Sequence, residues 1–307
     1  MPAPPSGEQF EIHHGDQRAT IVEVGGGIRE LYAGERAVLE PYPLEAICDG
    51  GHGAVLVPWP NRIGDGRYSF DGVERRLALT EPGKRNAIHG LLRWAPWRAL
   101  EHEPDRVLMG VRLHPHPGYP FDLTVSVEYR LGDDGLTVTT TARNAGESAC
   151  PYGAGQHPYL SPGEGQIDDC VLELGAATVI SIDPERGLPT GRESPAGGEL
   201  DFRRPRKLGA AVIDSPFTDL ERGDDGKARV RLTGRDGLTV ELWVDSSYAV
   251  IELFTGDTLA PARRRTGLAV EPMTCPPDAF RSGESLIRLE PGETFACSWG
   301  AGLLRAW

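Results

Sequence analysis

Four short segments carry the side chains best suited to proton chemistry: residues 58–63 (PWPNRI), 86–90 (NAIHG), 155–159 (GQHPY) and 271–278 (EPMTCPPD). Together they offer two imidazoles, His89 and His157, one carboxylate, Glu271, and one guanidinium, Arg62. An imidazole titrates near about 6.5 and serves as donor or acceptor at neutral pH, whereas a glutamate, near about 4.3, becomes an effective base only when burial raises it. The apolar run Gly267-Leu268-Ala269-Val270 predicts that Glu271 sits at the end of a buried strand, where its pKa rises. Taken singly, each residue also has an ordinary structural reading. A histidine beside glycine can bond backbone, a glutamate before proline can end a strand in water, and an arginine can be half of a surface ion pair.

Other chemistries lack their signatures. The chain has eight histidines, including His13-His14 and the pair His114 and His116, but none in HExxH spacing, so no catalytic metal is expected. No GxSxG elbow supports acyl transfer, and no glycine-rich stretch fits a strand, phosphate loop and helix. The expectation is an acid–base site without metal or organic cofactor.

The elements that must position these residues read as strands. Along residues 122–129, Leu123, Val125, Val127 and Tyr129 alternate with Asp122, Thr124, Ser126 and Glu128, which places the apolar set on one face. The turn Gly132-Asp133-Asp134-Gly135 then leads into a second alternating run, 136–143, predicting a hairpin. Residues 229–233 and 238–245 repeat the pattern around Gly234-Arg235-Asp236-Gly237, with Leu238, Val240, Leu242 and Val244 on one face. Further strand-like pieces lie at 19–24, 107–113, 248–254, 286–289 and 295–299, and no long amphipathic helix competes. With 39 Gly and 26 Pro spread along the chain, the pattern is an all-β sandwich with many turns and few or no helices. Residues 187–206, rich in Pro, Gly and charge, read as a long loop within a single domain spanning 1–307.

A formal net charge of −13 opposes a nucleic-acid footprint, which needs a basic surface, and favours a small-molecule partner. No run approaches the roughly 20 apolar residues of a membrane span, and residues 1–15 lack a basic region followed by an apolar stretch. A cytoplasmic location without membrane partners is the expectation, with the oligomeric state open. Five scattered cysteines without a CxxC pair suggest buried or half-buried thiols, neither a disulfide framework nor a zinc site.

At its four segments the sequence resembles the aldose 1-epimerase (galactose mutarotase-like) family. The resemblance rests on Asn61-Arg62-Ile63 followed by GRYSFDG (66–72), NAIHG (86–90) with Trp94 and Trp97, GQHPY (155–159) and EPMTCPPDAF (271–280). Gly118-Tyr119-Pro120-Phe121, DSPFTDL (214–220) and Leu289-Glu290-Pro291-Gly292-Glu293 extend it over most of the chain. It implies a large galactose mutarotase-like supersandwich that binds an aldose and uses no cofactor. By position, Glu271 resembles the base on the anomeric hydroxyl and His157 the acid on the ring oxygen. His89 and Arg62 resemble sugar-holding partners, and Asp214 resembles the acid that binds a hydroxyl pair, with Asp219 as its rival. Trp59, Trp94, Trp97 and Tyr159 lie beside these motifs and offer apolar faces to a sugar, or to the core. Three other readings stand beside a free-hexose mutarotase. A hexose-phosphate version would need Arg93 or the Arg263-Arg264-Arg265 run for its dianion. The others are a non-catalytic carbohydrate-binding module and a glycosidase pairing Glu271 with Asp214.

Overall fold

A computed structural model describes residues 3–304. Two large antiparallel sheets dominate it. The nine-stranded sheet runs Arg98–Glu103, Arg106–Leu113, Leu123–Gly132, Gly135–Asn144, Thr294–Leu304, Thr239–Val244, Ala228–Thr233, Val171–Leu174 and Arg206–Lys207. The twelve-stranded sheet runs Gln9–His14, Gln17–Val22, Ile28–Ala33, Arg36–Leu39, Tyr159–Leu160, Leu268–Met273, Val250–Phe254, Asp214–Leu220, Ala176–Ile182 and Pro189–Glu193. Gly155–Gln156 and Val55–Leu56 extend it at Met273. Among the described residues the only α-helix is the single turn Ala279–Ser282. This is the all-β sandwich that the alternating runs predict.

The alternating runs form the predicted hairpins. Leu123 pairs with Asn144 and Leu131 with Leu136, and Leu123, Val125, Val127, Tyr129 and Leu131 are all buried. In the second hairpin Val230 faces Leu242, with Val240, Leu242 and Val244 inward. Leu238 departs from its expected place: it lies in the turn, with its N–H donated to Asp236, and is 40% exposed. The 187–206 stretch is not wholly irregular, because Pro189–Glu193 pairs with Ala176–Ile182 as an edge strand.

The inner faces meet in one apolar cluster that includes Tyr129, Trp299, Leu268 and Val270. A polar chain crosses it. Trp299 Nε1 donates to Gln156 Oε1 at 3.0 Å, the Gln156 amide donates to the Tyr129 hydroxyl at 2.9 Å, and that hydroxyl donates to the Gly26 carbonyl at 2.7 Å. Within this relay the indole, the amide and the hydroxyl each find a partner, as the low dielectric of a core demands. Because strand side chains alternate, Gln156 facing the core turns the next residue, His157, to the opposite face.

Candidate functional site

The centre of the twelve-stranded sheet sets the first part of the site by register. Tyr159 pairs with Ala269 and Gly155 with Met273, so His157 falls opposite Glu271, and on the other flank Glu271 pairs with Glu252. Two neighbouring strands and the gap between Gly155–Gln156 and Tyr159–Leu160 thus present Glu252, Glu271 and His157 in one row. Leu268 and Val270 face the core, so alternation turns Glu271 outward with His157.

Glu271 is not at the end of its strand, as its apolar prefix suggested. The strand continues through Pro272 to Met273. The N–H groups of Val270 and Thr274 bond to the carbonyls of Pro158 and Ala154, so position 272 faces the same neighbour, opposite Gln156. Proline therefore removes no hydrogen bond from the Val250–Phe254 side. Glu271 stays buried in mid-strand.

The second part comes from a short ribbon lying over this face. Arg62–Gly64 pairs with Asn86–Ile88, Arg62 opposite Ile88, and the His89 N–H bonds to the Asn61 carbonyl at 2.9 Å. Asn61 and His89 turn the chain at the ribbon's end with φ of 53° and 61°, values that Asn and His adopt more readily than β-branched residues. Gly90 follows with φ 69°, and a Cβ there would lie 2.0 Å from the Val57 carbonyl oxygen. Asp278, from the end of the glutamate segment, clamps the ribbon: its carboxylate accepts the Gly64 N–H and its own N–H bonds to the Arg62 carbonyl.

The result is a cleft of about 380 Å³ lined by Arg62, His89, His157, Asp214 and Glu271 among others. All five residues singled out in the sequence meet here. Asp219 does not: it accepts the Thr178 hydroxyl at 2.6 Å outside the cleft, which leaves Asp214 as the acidic residue of DSPFTDL facing it. A larger concavity of about 650 Å³ around Arg98, Arg112 and Arg143 has no lining carboxylate to work with an imidazole.

At the cleft floor His157 Nε2 and Glu271 Oε1 are 3.1 Å apart, both nearly enclosed, and the His89 ring meets His157 edge-on at 5.5 Å. Burial raises Glu271 well above the ordinary carboxylate range, reinforced by Asp214 and opposed by Arg62. Burial also raises Glu252, reinforced by Asp214 and Glu271, so each of the facing carboxyls opposes ionisation of the other. Burial pushes His157 down to about 3, with the neighbouring His52 ring and the guanidinium charges of Arg93 and Arg62 adding to the effect, and His89 moves the same way. Arg62 is held by Glu81 through two hydrogen bonds of 2.9 and 3.1 Å, and Asn86 donates to the same carboxylate.

Three contributors carried no signal in the sequence. Glu252 lies in a plain strand, and only the pairing opposite Glu271 gives it meaning, with its carboxylate accepting the Asn61 amide at 3.3 Å. Glu81 is a turn residue that fixes Arg62. His52 stacks on Tyr159 at 4.4 Å, and Tyr159 stacks on His157 at 5.1 Å, so the His157 ring is the end member of a three-ring pile. Arg263 donates to His52 Nδ1 and His52 Nε2–H donates to the Glu40 carbonyl, which fixes its tautomer. Of the four neighbouring aromatics, Trp59, Trp97 and Tyr159 are buried, and Trp94, 47% exposed, lines the cleft. Cys48 also lines it, but burial pushes its thiol up to about 12, which removes it as a nucleophile at neutral pH.

His89, His157 and Glu271 each place a ligand atom within 4.8 Å of the others, close enough to converge on a metal ion. Metal-binding imidazoles usually donate their second nitrogen to a carboxylate or carbonyl, and Nδ1 of both histidines has no partner. The trio therefore fits an acid–base site better than a metal site. Among the described residues no helix is long and apolar enough to cross a membrane.

Known proteins agree with this architecture. The chain is 36% identical over 289 residues to the uncharacterized protein YihR of Escherichia coli (strain K12), covering 94% of this chain and 91% of that one. It is 25% identical over 284 residues to the aldose 1-epimerase of the same organism, covering 80% and 77%. Among solved structures, the GalM/aldose epimerase homologue from C. elegans superposes with a TM-score of 0.86 at 18% identity, over 97% of this chain and 98% of that chain. The aldose 1-epimerase family model matches residues 8–298, and the chain belongs to that family.

Proposed function

We propose that residues 1–307 act as a single-domain mutarotase, interconverting the α and β anomers of a hexose by ring opening and reclosure. The observation that carries this reading is the buried pair His157–Glu271 at 3.1 Å on the floor of a sugar-sized cleft. With Glu271 raised and His157 lowered, the empty pair holds one proton as neutral carboxyl and neutral imidazole. Moving that proton along the hydrogen bond gives carboxylate and imidazolium, which is the form that opens the ring.

Glu271 then takes the proton of the anomeric hydroxyl. The O1 electrons form the carbonyl, the bond from carbon 1 to the ring oxygen breaks, and the ring oxygen takes the His157 Nε2 proton. Carboxyl and imidazole are neutral again, rotation about the bond between carbons 1 and 2 turns the aldehyde, and reclosure runs the same transfers backwards. Each positioned proton-transfer group contributes about 100- to 10,000-fold, so two suffice. His89, Arg62 and Asp214 hold the sugar, and Glu252, kept protonated opposite Glu271, positions the base.

Polarimetry or anomer-exchange NMR on freshly dissolved aldoses tests the reading. Accelerated mutarotation is expected, unchanged by exhaustive chelation. An unaltered approach to equilibrium across an aldose panel, with sugar still bound, would instead make the protein a binding module.

A further inference from the structure

Nearly every buried or half-buried arginine near the cleft is answered by a carboxylate. Arg62 is held by Glu81, Arg263 by Asp49, Arg265 by Asp257 and Asp168, and Arg186 by Asp65. These pairs absorb the 263–265 run into structure, leaving Arg264 exposed and outside the cleft lining. Arg93 and Lys84 are different. Both line the cleft, and among the described residues neither side chain makes an ion pair or a hydrogen bond. Arg93 is half-buried with its guanidinium 5.5 Å from the Trp94 ring, a contact that orients a cation without neutralising it. In a chain of net charge −13, two cations without a contacting carboxylate at one cleft stand against the prevailing charge, with Glu81 acting on both only at longer range.

Their position is fixed by the backbone. Lys84 closes the turn Pro82–Lys84 just ahead of Asn86–Ile88, and Arg93 lies four residues beyond His89, so one segment carries both cations and a site imidazole. Gly25 packs against the Arg93 carbonyl, where a Cβ would come within 2.4 Å, and the Gly25 N–H bonds to the Ala95 carbonyl at 2.8 Å. The Arg93 charge also reaches the reaction centre, since it helps depress both His89 and His157. An unpaired, half-desolvated guanidinium raises the cost of the empty state, and an oxyanion on the substrate would relieve it with charge-assisted hydrogen bonds.

We propose that the sugar is an anionic hexose, carrying a phosphate, sulfonate or carboxylate away from its anomeric carbon, and that Arg93 with Lys84 holds that group. The proposal rests on the mutarotase reading. Anomer exchange measured by NMR on glucose, glucose 6-phosphate, glucuronate and 6-deoxy-6-sulfoglucose separates the candidates by charge and by planar or tetrahedral shape. At least one anionic sugar is expected to exceed glucose in kcat/KM by about 10- to 100-fold. Arg93→Ala should collapse that ratio towards one, Arg93→Lys should retain part of it, and Arg264→Ala should leave it unchanged. Glucose turned over as well as every anionic sugar, or a ratio insensitive to Arg93→Ala, overturns the anion site and leaves the mutarotase reading standing. If no sugar exchanges faster, the mutarotase reading fails. Calorimetry with glucose 6-phosphate, glucuronate and the sulfonate on the Glu271→Gln protein then tests the anion site alone: Arg93-dependent binding supports it, and its absence overturns it.

Discussion

The two sheets share a core but are built to different ends. The nine-stranded sheet contains long uninterrupted strands, Leu123–Gly132, Gly135–Asn144 and Thr294–Leu304, whose side chains alternate between core and surface. The centre of the twelve-stranded sheet is broken into pieces as short as Gly155–Gln156 and Tyr159–Leu160, with Pro158 in the gap and Pro272 opposite Gln156. Where the ladder breaks, both faces are buried and the outer one carries ionisable groups. Three atoms there, Nδ1 of His89, Nδ1 of His157 and Oε2 of Glu271, are buried without partners. Each such atom costs about 1–3 kcal/mol of stability. The regular sheet stabilises the molecule, and the broken one holds strained polarity ready for a substrate.

The comparison fails most visibly if mutations in the two sheets do the same thing. Glu271→Gln should lower kcat by roughly 1,000-fold while leaving the melting temperature unchanged or higher, since it removes a buried ionisable group. Val127→Ala, at a fully buried position in the regular sheet, should lower stability by about 2–3 kcal/mol with kcat/KM within about twofold. Denaturant unfolding and kinetics on the same preparations check both. A folded Val127→Ala protein without activity would mean that the sheets are not separable in this way.

The pH profile sharpens the same contrast. The active pair must hold one proton. As pH rises through the raised pKa of Glu271 the proton is lost, so the rate falls on the alkaline side. On the acid side a second proton reaches His157 only near its lowered value of about 3, so no limb should appear at the ordinary histidine pKa. A limb near about 6.5 would show a solvated imidazole and undo the assignment. Glu252→Gln keeps a neutral hydrogen-bonding side chain but cannot ionise, so the alkaline limb should become a one-proton step with kcat reduced less than about tenfold. A profile identical to the parent would remove Glu252 from the positioning role.

These contrasts also explain what was legible in the sequence. Period-two alternation announces a strand buried on one face, so the Leu123 and Gly135 strands could be read directly, while Leu238 misled because a turn aspartate captured its N–H. A strand buried on both faces has no such period. Leu268–Met273 is buried throughout, and its apolar prefix suggested a strand end where the chain runs on through proline. Arg62, His89, His157 and Glu271 stood out through short motifs rich in Gly and Pro, Asp214 only through the family resemblance, and all five line one cleft. Glu252, Glu81 and His52 acquire meaning only from register, ion pairing and stacking, which are properties of the folded chain.

Gln156 is where the two sheets can be coupled or uncoupled. It precedes His157, faces the core and joins Trp299 to Tyr129. Gln156→Leu leaves the indole N–H of Trp299 without its acceptor, so stability should fall by about 1–3 kcal/mol. Because His157 directly follows Gln156 at the end of the two-residue strand Gly155–Gln156, kcat should fall by up to about tenfold while KM changes less. Loss of stability without any kinetic change would show that the broken sheet holds His157 independently of the core.

The smallest effect belongs to Trp94, the one tryptophan of its neighbourhood outside the core. Trp59 and Trp97 are almost fully buried, so their truncation should appear as instability of about 3–5 kcal/mol. Trp94 lines the cleft at 47% exposure, and an exposed ring has little packing to lose. If its face covers the C–H surface of the sugar, Trp94→Ala should raise KM by about fivefold, near 1 kcal/mol, with kcat and melting temperature unchanged. That outcome is uniform binding lost without transition-state stabilisation, as expected of a group remote from the proton pair. A fall in kcat at constant KM would instead place Trp94 among the groups that act in the transition state, and the division between a reactive floor and a binding rim would have to be redrawn.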